Sequence, residues 1–304
     1  MNSRIKGHMA AVFTIILWGT TFVSTKVLLQ SFWPTEILCY RICIGLLALY
    51  LVYPKRMGKT TMVQEVTFAA AGLCGITLYQ LFENIALTYT SASNVGIIVS
   101  LSPFFTGLLA TWWLDGEKPG KYFFVGFAAA IAGIALISYN GKVVLQFNPK
   151  GDVLTLLAAF FWALYSILSK KISQFGFHTV QTTRRVFGYG LLFMLPAFLI
   201  LRFPWNPQLL LKPVNLGNIL FLGLGASAMC FVTWNMAVGE LGAVKTSTYI
   251  YLVPVITVAT SVIVLQERIT WMSAAGTVLA LAGLFISEKK EFKLRRPDNF
   301  EKIQ

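Results

Sequence analysis

Trp18–Lys26 reads WGTTFVSTK and Trp162–Lys170 reads WALYSILSK, so a Trp opens and a hydroxyl residue plus Lys closes both stretches at an offset of 144. Arg41 and Arg185 follow at the same offset. Further on, Asn84-Ile85-Ala86-Leu87 aligns with Asn235-Met236-Ala237-Val238, and Pro103 with Pro254, at an offset of 151. Glu117 then aligns with Glu267, and Ala132-Gly133 with Ala282-Gly283, at 150. One longer loop around Arg202 to Asn215 accounts for the shift. A single matched Trp is chance, whereas ordered matches at a nearly constant offset mark an internal duplication.

Each copy is built for lipid. The 304 residues are 56% apolar and 12% charged, with a mean hydropathy of +0.69. A water-soluble domain carries roughly twice that charged fraction, so this chain cannot cover an aqueous surface. A helix needs about 20 mostly apolar residues to span the hydrocarbon. Ten such windows occur, near 8–28, 35–53, 66–87, 92–114, 121–140, 152–172, 181–201, 216–238, 243–265 and 270–287. The expected fold is an all-α integral membrane protein of ten transmembrane helices. Residues 1–147 form a first five-helix repeat, 148–288 a second, and 289–304 a basic tail. Five is odd, so the second copy enters the membrane from the opposite side and the repeats are inverted. Inverted repeats place a substrate site near the midplane between them, the architecture of a secondary transporter.

The net charge of +13 also suits nucleic acid, but the positions of the cations argue for membrane orientation. With the N-terminus inside, sixteen Lys and Arg fall in inner segments, five in outer segments and four within spans. That bias places both termini in the cytoplasm of a cell-membrane protein and removes the need for a nucleic-acid partner. The four cysteines sit inside apolar runs without zinc or disulfide spacing, and read as small apolar fillers.

The residues also resemble a family. Trp18-Gly19-Thr20-Thr21-Phe22 with Lys26, Ala86 to Ala92, the Pro103 helix and Leu114-Asp115-Gly116-Glu117 are similar to the EamA branch of the drug/metabolite transporters. Trp162, Ala237 to Ala243, Pro254 and Leu265-Gln266-Glu267 repeat the pattern. The resemblance implies a carrier of small metabolites, often an exporter of amino acids or related compounds. It further implies that helices 1–4 and 6–9 surround a cavity and that helices 5 and 10 stand outside it. It supplies no particular substrate.

An ionisable side chain inside a bilayer costs about 2.5–3.5 kcal/mol on insertion scales, so each needs a reason. Glu83 lies ~6 Å and Arg41 ~9 Å inside the outer ends of their helices, at about 1.5 Å per residue. They either form a fixed ion pair, or Glu83 takes a substrate amine or a proton. Arg185 is the repeat mate of Arg41, but Trp234 stands where a second Glu83 would be. Without that counter-charge, Arg185, helped by Arg184, suits a substrate carboxylate or phosphate; the alternative is that both reach the cytoplasmic interface. Helical spacing aligns Thr14, Trp18, Thr21 and Thr25 on one face, and Trp162, Tyr165 and Ser169 on another. Tyr79, Trp234 and Tyr251 extend this substrate lining, which competes with simple interfacial or core packing. Pro103 and Pro254 read as paired hinges or static kinks. Gly126, Ala130 and Gly133 recur as Gly276, Ala280 and Gly283, a packing stripe either within the chain or between protomers, so monomer and homodimer both stay open.

The sequence carries no Gly-x-x-x-x-Gly-Lys-Ser/Thr loop and no His-Glu-x-x-His cluster, so no cofactor, metal or enzymatic activity is expected. Gradient-driven export of amino acids is the leading expectation. A carrier of phosphorylated sugars or nucleotide-sugars, or a channel or scramblase, is the alternative.

Overall fold

The computed structural model describes residues 3–90, 92–114, 119–139, 148–200, 207–256 and 271–287, and every regular element among them is helical. Glu117, Glu267 and the tail from Lys289 lie outside the described residues. The helices are α1 (Ser3–Leu28), α2 (Pro34–Val52) and α3 (Met62–Tyr89). Then come α4, in two pieces (Ala92–Val99 and Ser102–Trp113), α5 (Lys121–Tyr139) and α6 (Pro149–Ser173). They continue as α7 (Thr179–Ile200), α8 (Pro213–Leu241), α9 (Ala243–Ile256) and α10 (Trp271–Ser287). Helices α1, α2, α3, α6 and α8 are long and apolar enough to cross a membrane. Their outward faces carry exposed Leu47, Leu51, Val63, Leu156 and Leu224, a surface that hydrocarbon accepts and water does not.

Local chemistry sets the ends. Asn148 accepts a hydrogen bond from the Gly151 amide and Pro149 occupies the first turn of α6, the preferred N-terminal pair. Thr61 and Gln64 form a reciprocal capping box at the start of α3. Gly242, with φ 92°, ends α8 and turns the chain directly into α9.

Contacts fix the helix directions. Lys26 Nζ, at the end of α1, donates to the Leu87 and Thr90 carbonyls at the end of α3 (2.6 and 3.1 Å). Asn148 Nδ2 donates to the Tyr89 carbonyl (2.9 Å), so α6 begins at that end. At the opposite end Lys170 Nζ, near the end of α6, donates to the Gly239 carbonyl near the end of α8 (3.0 Å). The Ser3 hydroxyl meets Glu240 there, and Arg184 Nη1 donates to the Tyr53 carbonyl (2.8 Å). Helices α1 and α3 therefore run one way, and α6 and α8 the other. Lys55, Arg56, Lys170, Lys171, Arg184 and Arg185 share the second end, hereafter the basic end.

Helices α3 and α8 each widen into a π-helical stretch, Gly72–Leu78 and Phe221–Met229. Periodicity alone does not reveal such a stretch. Gly72 and Gly223, at the repeat offset of 151, allow the close approach. A Cβ on Gly72 would run into the Val186 and Gly190 backbone of α7, and one on Gly223 into Ile44 of α2. Side chains pin both crossings: Thr77 Oγ1 donates to the Gly190 carbonyl (2.9 Å) and Arg41 Nε to Ser227 Oγ (3.0 Å).

The two prolines also mark irregular backbone. Helix α4 breaks at Ser100–Leu101 just before Pro103, and α9 tightens to 3-10 geometry over Thr248–Leu252 just before Pro254. A proline lacks the amide and clashes with the carbonyl four residues back, which accounts for both sites. The small-residue stripes face each other within the chain: Gly126 and Gly133 of α5 lie against the Gly283 and Gly276 carbonyls of α10. Of the two readings open in the sequence, the intrachain contact is therefore made.

Candidate functional site

At the centre, α1, α3, α6 and α8 bring their aromatic residues together. Trp18 and Trp162, the repeat mates, meet edge to face at 5.0 Å between centroids. Trp234 lies 5.1 Å from Trp18 and 5.6 Å from Trp162. Phe231 packs on Trp18, Trp162 and Tyr165, and Tyr79 lies 4.8 Å from Trp162. Contacts of this kind contribute beyond area alone and fix ring orientation.

Beside this cluster is a small cavity of about 40 Å³, lined among others by Trp18, Thr21, Arg41, Tyr79, Gln80, Glu83 and Trp162. Water needs roughly 10–15 Å³ by this measure, so the space holds a few waters rather than a metabolite. Glu83 and Arg41 are both buried, each 4% exposed. They interact electrostatically together with Tyr79, yet no direct salt bridge joins them among the described residues; Arg41 is held instead by Ser227. Several polar atoms around the cavity are buried without partners: both amide atoms of Gln80 and Nε1 of Trp162. Each such atom costs about 1–3 kcal/mol in lost solvation, so the wall carries unspent hydrogen-bonding capacity.

A second cavity, about 240 Å³, opens between α6, α7 and α8 toward the basic end, lined by Tyr165, Ser169, Thr182, Asn235 and Glu240 among others. Its hub is Asn235. Oδ1 accepts from Tyr165 and Ser169 (both 2.7 Å), and Nδ2 donates to Thr183 (3.0 Å). Tyr165 and Phe231 stand between this crevice and the central cavity.

The structure thus brings together Trp18, Thr21, Arg41, Tyr79, Glu83 and Trp162 around the central cavity, with Tyr165 and Trp234 in the adjoining cluster. Thr25 is buried farther along α1. Tyr251 packs instead with Ala130, Ile134, Ala280 and Leu284 at the α5–α10 contact. Arg185 is also elsewhere: it is half exposed at the basic end and forms a two-pronged pair with Glu65, Nε and Nη2 donating at 3.0 and 2.6 Å. Its counter-charge comes from the start of α3 rather than from a mate of Glu83. Sequence reasoning missed Gln80 and Asn235. Gln80 sits three residues before Glu83, on the same helical face, and Asn235 was visible only as a repeat mate of Asn84.

The model of the EamA-like transporter family matches residues 5–139 and again 149–288. The chain belongs to that family. An uncharacterised transporter of Archaeoglobus fulgidus is 28% identical, covering 96% of this chain and 99% of its own. A Streptantibioticus cattleyicolor protein named "Probable terminal-alkyne amino-acid exporter" is 24% identical over 96% of both chains. One crystal structure superposes with a TM-score of 0.76 at 18% identity, covering 94% of this chain and 98% of that one, a likeness of fold. This chain is therefore a membrane transporter of the EamA type.

Proposed function

We propose that this transporter is a gradient-driven carrier that exports amino acids or related small zwitterions by alternating access. The observation that carries the reading is the polar lining of the central cavity, where Glu83, Arg41 and the unpartnered Gln80 amide meet under the Trp18–Trp162 pair. At about 40 Å³ it is too small for a metabolite here, and the proposed alternating access widens it to admit one. An ammonium group suits the Glu83 carboxylate and the ring faces, a carboxylate suits Arg41, and Gln80 gains the partners it lacks. The relative named as an amino-acid exporter supports the same substrate class.

Ten crossings in two inverted repeats are part of this reading. It is supported by the opposed directions of α1 and α6 and of α3 and α8, and by the matched π stretches. The cation-rich end supports cytoplasmic termini. Pro103 and Pro254, each beside an irregular turn, are the proposed hinges. Phosphorylated sugars fit less well, because Arg184 and Arg185 line a recess at the basic end and Arg41 is the sole cation lining the centre among the described residues.

Counterflow in proteoliposomes tests this. Vesicles loaded with unlabelled amino acid should take up labelled amino acid in a saturable way, and Glu83→Gln should reduce that uptake at least tenfold while keeping the protein monodisperse. Flux that never saturates would indicate a channel, and exchange of sugar phosphates without amino acids would overturn the substrate class.

A further inference from the structure

The recess between the C-terminal end of α2 and the N-terminal end of α7 encloses about 770 Å³ and shares no lining residue with the central cavity. That volume falls within the roughly 300–1,000 Å³ of small-ligand sites. From its position and chemistry we propose that it binds the headgroup phosphate of an anionic phospholipid.

The polar wall is cationic, and two of its cations are held in place. Arg184 is buried, 7% exposed, with its guanidinium 4.3 Å from the Tyr50 ring centroid. Nη1 and Nη2 donate to the Tyr53 and Lys55 carbonyls (2.8 and 2.9 Å), which orient the group without neutralising it. Arg185 is offset by Glu65. Arg56 forms no ion pair among the described residues, and its carbonyl is fixed by Gln181 Nε2 (2.9 Å). Three arginines thus line the recess, and one carboxylate, Glu65, offsets one of them. A phosphate diester supplies the missing negative charge, accepting from the Arg56 guanidinium and from the N–H groups of Arg184 that the two carbonyls leave over.

The other wall is apolar and faces outward. Tyr50 and Leu192 line the recess and are 51% and 54% exposed; Leu51 and Leu195 continue that surface along α2 and α7. Gly188 forms an open floor, since a Cβ there would meet nothing within 4 Å. A free phosphate ion leaves this apolar margin unused, whereas a phospholipid places its headgroup among the arginines and its chains along the leucines. Basic pockets between helices at the cytoplasmic face are suited to such lipids.

The test is thermal unfolding of the full chain in detergent micelles doped with equal mole fractions of phosphatidylglycerol or phosphatidylcholine, or with inorganic phosphate. Phosphatidylglycerol should raise the Tm by several degrees more than either alternative, by linkage to the folded state. Arg56→Gln should remove most of that extra shift by deleting a charge, and Gly188→Trp should do so by filling the recess. Both positions are exposed, so both variants should match the parent Tm without lipid. Equal protection by phosphatidylcholine would overturn charge recognition. Full protection by inorganic phosphate would overturn the lipid as the source. An extra shift retained in both variants would overturn the site itself.

Discussion

The crevice around Asn235 and its counterpart around Asn84 are built from matched positions and packed in opposite ways. Tyr165, Ser169 and Asn235 stand in the second half where Thr21, Thr25 and Asn84 stand in the first. In the second half the hydroxyls of Tyr165 and Ser169 both donate to Asn235, and the group, though largely buried, lines the crevice of about 240 Å³. In the first half Thr25 and Asn84 are fully buried, and Thr25 Oγ1 and Asn84 Oδ1 have no partner. The first-half group thus leaves polar atoms orphaned, while the crevice-lining group pairs them. On the proposed carrier reading, such a difference between matched positions is what closing one side while opening the other requires.

The largest difference expected is in chemical access. In a background lacking the four native cysteines, Ser169→Cys, buried but lining the crevice, should react faster than Thr25→Cys with a membrane-impermeant thiol reagent added at the basic end. Thr25→Cys should resist reagent from either side until substrate exchange begins. Equal labelling of both at rest would break the comparison. The next effect is steric. Gly75, in the π stretch of α3, faces the Tyr165 ring so closely that an added Cβ would collide with it. Gly75→Val should cost about 3 kcal/mol or more in reversible unfolding, as overpacking of a filled site does, and should collapse the crevice wall.

The fold was largely legible because its signals are local. Apolar windows, the Trp18/Trp162 match and the prolines each report on their own neighbourhood, and helices occupy those windows throughout the described residues. The shared lining of the candidate site was legible where it follows helical spacing, as with Trp18, Thr21, Tyr79 and Glu83. It was not legible where a partner arrives from a distant helix. Glu65 meets Arg185 across 120 positions of sequence, and Ser227 meets Arg41 across 186, so neither arginine's partner was readable from its own neighbourhood. Tyr251 shows the converse: Ile250 and Val253 of α9 line the central cavity, and Tyr251, between them in sequence, turns to the α5–α10 contact.

Some matched positions should behave alike, which sharpens the contrast. Lys26 and Lys170 are repeat mates, and each donates to carbonyls at a helix C-terminal end, where a cation also complements the helix dipole. Lys26→Met and Lys170→Met should each cost about 1–2 kcal/mol. A large difference between them would mean that the asymmetry extends to the helix ends rather than staying at the Asn84 and Asn235 levels.

The smallest effects discriminate best, because they have opposite signs. Ser169→Ala removes one hydrogen bond to Asn235 and should cost about 1 kcal/mol. Thr25→Val replaces a buried hydroxyl that has no partner with a methyl of similar size. It should be neutral or slightly stabilising, because no bond is lost and an orphaned polar atom is removed. If the halves exchange roles during transport, Thr25 needs its hydroxyl for Asn84 in the other state. Thr25→Val should then hold the protein in the present conformation and slow counterflow while leaving binding intact. Measuring unfolding and counterflow on the same preparation separates these terms. A Thr25→Val protein that is destabilised, or that exchanges substrate at the parent rate, would show that the two halves do not trade this bond.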